Sequence, residues 1–95
     1  MKAMPRVEIT RHLHRFFPAL QGRGIEVEPG SVAEVLRAVE RIAPGFTDYV
    51  LDERGALRRH VALSVDGRIV VDRQTLSDRV AEGATVHVFQ ALTGG

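Results

Sequence analysis

One segment constrains the fold of this chain more than any other. After Pro29-Gly30-Ser31, the apolar residues Val32, Val35, Leu36, Val39, Ile42 and Ala43 recur at three- and four-residue steps. That spacing places them on one stripe of a helix, with Glu34, Arg37, Glu40 and Arg41 on the opposite face. Ser31 and Glu34 stand at the spacing of a capping box, in which each side chain satisfies an orphan backbone amide. Pro44-Gly45 stops the helix. Valine is a poor helix former, so packing must hold this element more than propensity does. One apolar stripe needs one apolar sheet face to cover it.

The flanking segments supply strands. Arg6–Thr10 and Ile25–Glu28 alternate polar and apolar residues and predict an antiparallel first hairpin, with Gln21–Gly24 as a loop. Between them lie the basic cluster Arg11–Arg15 and the pair Phe16-Phe17, which packs over one end of the sheet. Phe46–Glu53 predicts a short turn or helical piece closing the core. Leu57–Val65 reads as a strand, with Val61, Leu63 and Val65 on one face and His60, Ala62 and Ser64 on the other. Asp66-Gly67 suits a tight primed turn into a strand at Arg68–Val71. The connector that follows starts a single helical turn at Leu76. Thr85–Gln90 forms the last strand, Val86 and Val88 opposing His87 and Phe89. The expected architecture is α+β: a two-layer domain spanning residues 1–95, with a mixed four- to five-stranded sheet against one main helix.

Composition excludes several functions. The 95 residues are 44% hydrophobic and 26% charged, with thirteen basic and twelve acidic side chains and a formal charge of +1. Phosphate neutralisation usually shows a strong basic excess, so nucleic acid is not an expected partner. Arg11, Arg15, Arg58 and Arg59 read as solvated surface or as a protein-docking patch. No apolar run approaches the roughly 18 residues of a membrane span, and Met1–Pro5 lacks the apolar stretch of a secretion signal. A cytoplasmic protein is expected. The sequence has no cysteine. That removes disulfides, a thiol nucleophile and cysteine metal sites. His12 and His14 have no acid nearby to complete a metal site, and His60 and His87 are isolated. Ser64 and Ser77 lack a nucleophile-elbow context. Gly22-x-Gly24 is too short for a nucleotide fingerprint.

The ending carries the chemistry. Gly94-Gly95 follows directly after the last core strand. Glycine lacks a Cβ, so a thin extended backbone can enter a narrow channel. Leu92–Gly95 reaches about 13 Å at full extension. A flexible tail of this kind delivers a terminal carboxylate into another protein's active site. The carboxylate is inert to nucleophiles until adenylation turns an oxygen into a leaving group.

Strand Arg6–Thr10, the run Pro29–Leu36, Ser64-Val65-Asp66-Gly67-Arg68, Glu82–Val86 and the ending Leu92-Thr93-Gly94-Gly95 together carry a resemblance across the whole chain. It resembles the small MoaD/ThiS-like sulfur carriers of the ubiquitin-like superfamily, the molybdopterin synthase small subunit and the thiamine-pathway carrier. The resemblance implies a β-grasp fold and a protein cosubstrate, not an enzyme. It implies that a ubiquitin-activating-like adenylyltransferase, using ATP and magnesium, adenylates Gly95. A sulfurtransferase, a desulfurase or sulfide would then supply sulfur for a thiocarboxylate, and a synthase would accept it. No cofactor is expected to stay bound. Many molybdopterin-type relatives end in Pro-Pro-x-Ser/Ala-Gly-Gly-like sequences, whereas this chain ends Gln90-Ala91-Leu92-Thr93-Gly94-Gly95. The pathway therefore stays open between molybdopterin, thiamine, cysteine or methionine, and specialised metabolites. Two other classes are a ubiquitin-like modifier and a plain interaction domain.

In this reading Gly94 gives clearance in the partner's channel. Leu92 and Thr93 set the tail's register through an apolar contact and a hydroxyl hydrogen bond. Partner docking is assigned to Phe89, Arg58, Arg59, Arg68 and His87, because arginine and aromatic residues anchor interfaces.

Overall fold

The capping box forms with both arms. Ser31 Oγ accepts from the Glu34 N–H at 3.1 Å, and Glu34 Oε1 accepts from the Ser31 N–H at 2.9 Å. Behind it the main helix α2 spans Val32–Ile42 and buries Val32, Val35, Leu36 and Val39. Ile42, at its last position, is exposed. The computed structural model describes residues 3–20 and 24–91. Ahead of α2 come β1 (Arg6–Ile9), α1 (Arg11–His14), a 3-10 turn at Pro18–Leu20, β2 (Ile25–Glu26) and β3 (Gly30–Ser31). After it come α3 (Phe46–Val50), β4 (Val61–Val65), β5 (Arg68–Ile69), β6 (Arg79–Val80) and β7 (Thr85–Gln90).

Five strands form a mixed sheet in the order β2-β1-β7-β4-β5. The expected first hairpin is present, with β1 antiparallel to β2. The central pair β1 and β7 is parallel, while β7 and β4 are antiparallel over five residue pairs. Val7, Val61, Leu63, Val86 and Val88 are buried on the face that meets α2, in one contiguous cluster with Val35, Leu36 and Val39. The result is the two-layer ubiquitin-like β-grasp arrangement. Asp66 (φ 50°) and Gly67 (φ 84°) make the expected primed turn between β4 and β5.

Other elements depart from expectation. The basic segment after β1 is helical at Arg11–His14. Phe16 and Phe17 divide: Phe17 is buried edge-on to Phe46, while Phe16 is 54% exposed and stacks on Tyr49. The strand expected over Leu57–Val65 begins only at Val61. Leu57 bridges to Leu51, and the Arg58 N–H donates to Val50 O, so this stretch follows α3 instead of the sheet. Arg73 holds the detour, donating through Nη2 to Arg58 O at 2.7 Å and Val61 O at 2.8 Å.

Leu76 starts no helical turn. It is fully buried with φ at 52°, and its carbonyl accepts from the Ala33 N–H at 3.1 Å. Asp78 O likewise accepts from the Val32 N–H at 2.9 Å. The connector thus satisfies two of the free amides at the α2 N-terminus. Beside it β3 and β6 form a separate two-stranded ladder, Gly30 opposite Val80 and Ser31 opposite Arg79.

Glu40 locks the junction between α2 and α3. Its carboxylate accepts from the Gly45 N–H (2.9 Å), the Thr47 N–H (2.8 Å) and the Thr47 hydroxyl (2.9 Å). These bonds, the Gly45 amide first, hold its carboxyl below the ordinary 4.5. A depressed folded value means the contribution is complete above the unfolded value and disappears as pH falls through the folded one. Urea midpoints measured from neutral pH downward are expected to decline below about pH 4.5. Glu40→Gln should lower the neutral midpoint and make the acid decline shallower. An unchanged acid limb in that variant would assign the decline to other carboxylates.

Candidate functional site

β7 delivers the C-terminus from the middle of the sheet. It lies between β1 and β4, and its last residue, Gln90, sits opposite Val61. The Ala91 N–H then donates to His60 O at 2.9 Å. Leu92, Thr93, Gly94 and Gly95 lie outside the described residues. The departure point is walled on one side by aromatic rings. Tyr49 meets His60 edge-on at 5.7 Å and also contacts Phe16 at 5.6 Å and Phe17 at 5.8 Å. On the opposite neighbour of β7, the Thr10 N–H donates to Val88 O at 3.2 Å, so α1 begins close to the same end.

The outer sheet face is built by alternation. Val86 and Val88 point into the core, which leaves Thr85, His87 and Phe89 on the other side. The register sets Phe89 opposite Ala62 and His87 between Ser64 and Glu8. His87 Nε2 lies 3.1 Å from Glu8 Oε1, and Arg6 Nε lies 3.8 Å from Glu8 Oε2. This face combines a half-buried ring, two small side chains and a charged edge.

The structure unites only part of the docking set named from sequence. Phe89 and His87 share the outer face. Arg58 and Arg59 are exposed in the connection from α3 to β4, and Arg58 Nε donates to Asp48 O at 3.0 Å. Arg68 pairs with Val65, whose side belongs to the core face, so it lies across the edge strand from Phe89. Sequence reasoning missed Glu8 and the Tyr49–His60 contact. The alternation of β1 could have found the first, but the second depends on the detour of residues 57–60.

Among the described residues, no group of three or more His, Asp or Glu side chains could hold a metal ion. None of the described helices is long and apolar enough to cross a membrane.

The ThiS family model matches residues 16–95, a span that includes α2, the β4–β5 hairpin, β7 and the terminal glycines. The chain belongs to the ThiS family. Membership places this ThiS-family chain among sulfur carriers and ubiquitin-like modifiers. Among curated protein sequences none matches it. Its fold is similar to a chain of the Amycolatopsis orientalis BexX/CysO complex, with TM-score 0.80 and 23% identity over 96% of this chain and 99% of that one. SAMP1 from Haloferax volcanii gives TM-score 0.74 and 19% identity over 98% and 100% of the two chains. Urm1 from Trypanosoma brucei gives 0.63 and 16% over 99% and 97%. At these identities the structural likeness establishes the fold alone.

Proposed function

We propose that this protein carries sulfur as a thiocarboxylate at Gly95. The carboxylate oxygen attacks the α-phosphorus of ATP in a ubiquitin-activating-like adenylyltransferase, with magnesium, and pyrophosphate leaves. Free hydrosulfide then attacks the acyl carbon. A sulfurtransferase or desulfurase attacks instead through a cysteine persulfide, and a second thiol reduces the resulting acyl disulfide, which frees the thiocarboxylate and leaves a disulfide on the donor. AMP leaves, and a proton is released. A sulfur-accepting synthase takes the sulfur, and water restores the carboxylate. The protein is a cosubstrate in this cycle.

The observation that carries the reading is the family match running through Gly94 and Gly95. It is supported by the position of β7, whose last residue, Gln90, stands five residues before Gly95. The tail Leu92–Gly95 enters the partner's channel, with Gly94 giving clearance and Leu92 and Thr93 setting its register. Docking centres on Phe89 and His87 of the outer face. Arg58 and Arg59 contribute from its border, and Arg68 from the other side of the edge strand. The likeness to a chain of the BexX/CysO complex supports a protein partner. Intact-mass spectrometry of the protein from its native cells tests the reading. A species heavier by the mass difference between sulfur and oxygen is expected, and alkylation should label it at the C-terminus.

Likeness to a small archaeal modifier protein favours a second reading, attachment of Gly95 to lysines. It predicts a Gly-Gly remnant on target lysines after digestion. Remnants without any thiocarboxylate would replace the carrier reading.

A further inference from the structure

Among the described residues, nothing covers the outer edge of β5. It stands at the end of the sheet order, and only β4 pairs with it among those residues. Ile69 sits opposite Ser64 between the pairs Val65–Arg68 and Leu63–Val70, the second marked by the Val70 N–H donating to Leu63 O at 2.9 Å. It therefore occupies a non-hydrogen-bonded position, and its N–H and C=O point away from β4. Val70 is 2% exposed, while Ile69 is 57% and Val71 86% exposed. Native edges are usually blunted by charge, proline or a covering segment. Here two large apolar side chains flank a buried valine on an open edge.

The segment is also complementary to itself. Residues 68–72 read Arg-Ile-Val-Val-Asp. In an antiparallel copy centred on Val70, Val71 extends β5 beyond its end at Ile69 and stands opposite the second copy's Ile69, whose outward amide and carbonyl it meets. Arg68 then faces Asp72. Asp72 is ionised for this role, since Thr75 and Ser77 donate to its carboxylate and hold its pKa below the usual range. Opposite charges directly across a strand pair are favourable, and so are β-branched pairs. Any register shifted by two residues loses the charge match.

We propose that two copies of this protein associate through β5 across a two-fold axis at Val70, making one continuous ten-stranded sheet. The symmetry makes the contact isologous. Its small size makes the dimer weak and concentration-dependent. β5 and β7 both run antiparallel to β4. The two C-terminal strands of the pair therefore run in opposite directions, and the tails leave from opposite ends of the joined sheet.

Sedimentation equilibrium over a series reaching millimolar concentration is expected to show reversible doubling of the mass. Val71→Lys should raise the dissociation constant by at least about tenfold. Its urea midpoint should stay unchanged, because the side chain lies in solvent. The absence of native cysteine permits a test of register. Mixed Ile69→Cys and Val71→Cys proteins should form an intermolecular disulfide, since directly opposed residues there have Cα atoms about 5.5 Å apart. Ile69→Cys alone places the two sulfurs too far apart to cross-link efficiently. A monomer throughout the series, or a dimer indifferent to Val71→Lys, overturns the proposal. Equal cross-linking of the unmixed Ile69→Cys protein overturns the register.

Discussion

Deleting Gly94 and Gly95, or adding one residue after Gly95, is expected to abolish activation by the adenylyltransferase while leaving the fold intact. In the proposed reaction the reacting group is a carboxylate at the end of a tail, so its placement depends on chain length. Leu92–Gly95 spans at most about 13 Å, and one added residue displaces the carboxylate by about 3.3 Å. Misplacing a reacting atom by even about 1 Å can cost a hundredfold in rate. Deletion removes two steps of reach and replaces the Gly95 carboxylate with one on Thr93, whose side chain needs room that a glycine channel lacks. ATP–pyrophosphate exchange with the cognate enzyme should fall at least about a hundredfold in both variants. Every core-cluster member among the described residues lies at or before Val88, so the urea midpoint should not move. Exchange near the parental rate in the extended protein would remove Gly95 from the mechanism.

Phe46→Ala is expected to have the largest effect on stability. Phe46 is fully buried at the start of α3, with its ring edge-on to Phe17 at 5.4 Å. Truncating a buried phenylalanine costs about 3–5 kcal/mol, part lost transfer energy and part cavity. A chain of this size has about 5–14 kcal/mol in total. The variant should therefore lose a large share of its stability, and its urea midpoint should drop with the m-value unchanged. The same truncation loosens Phe17, which packs on Tyr49, the ring beside His60 at the departure of the tail. A loss under about 1 kcal/mol would show that the surrounding side chains close the cavity, contrary to the low collapse expected between two helices and a sheet. The exposed Phe16 should tolerate replacement far better than Phe17, although the two are adjacent in sequence.

Much of the proposed docking face was legible before the fold. The alternation in Thr85–Gln90 separated His87 and Phe89 from the core valines, and the register then set Ala62, Ser64 and Glu8 beside them. Arg68 was not legible in this way. Its face follows from its pairing with Val65 across the Asp66-Gly67 turn, and a two-residue strand carries too little pattern to reveal that. Arg58 and Arg59 read as part of a long strand because Leu57 keeps the parity of Val61, Leu63 and Val65, although Arg59 breaks the alternation between them. The structure bends those residues onto α3, where Arg73, fifteen positions on from Arg58, caps the detour.

The sequence by itself determined the features that arise within a few residues: the capping box of α2 and its apolar stripe, the primed turn at Asp66-Gly67, the alternating last strand and the terminal glycines. Each depends on local backbone geometry and a short periodicity, which neighbouring residues record directly. Tertiary structure alone decided the parallel β1–β7 pairing, the β3–β6 ladder, the buried left-handed Leu76 and the open edge at β5. Their energies come from contacts between segments far apart in the chain. Leu76 shows the reason plainly, since nothing near it asks for a positive φ. Its conformation is set by the free amides at the start of α2, more than forty residues earlier.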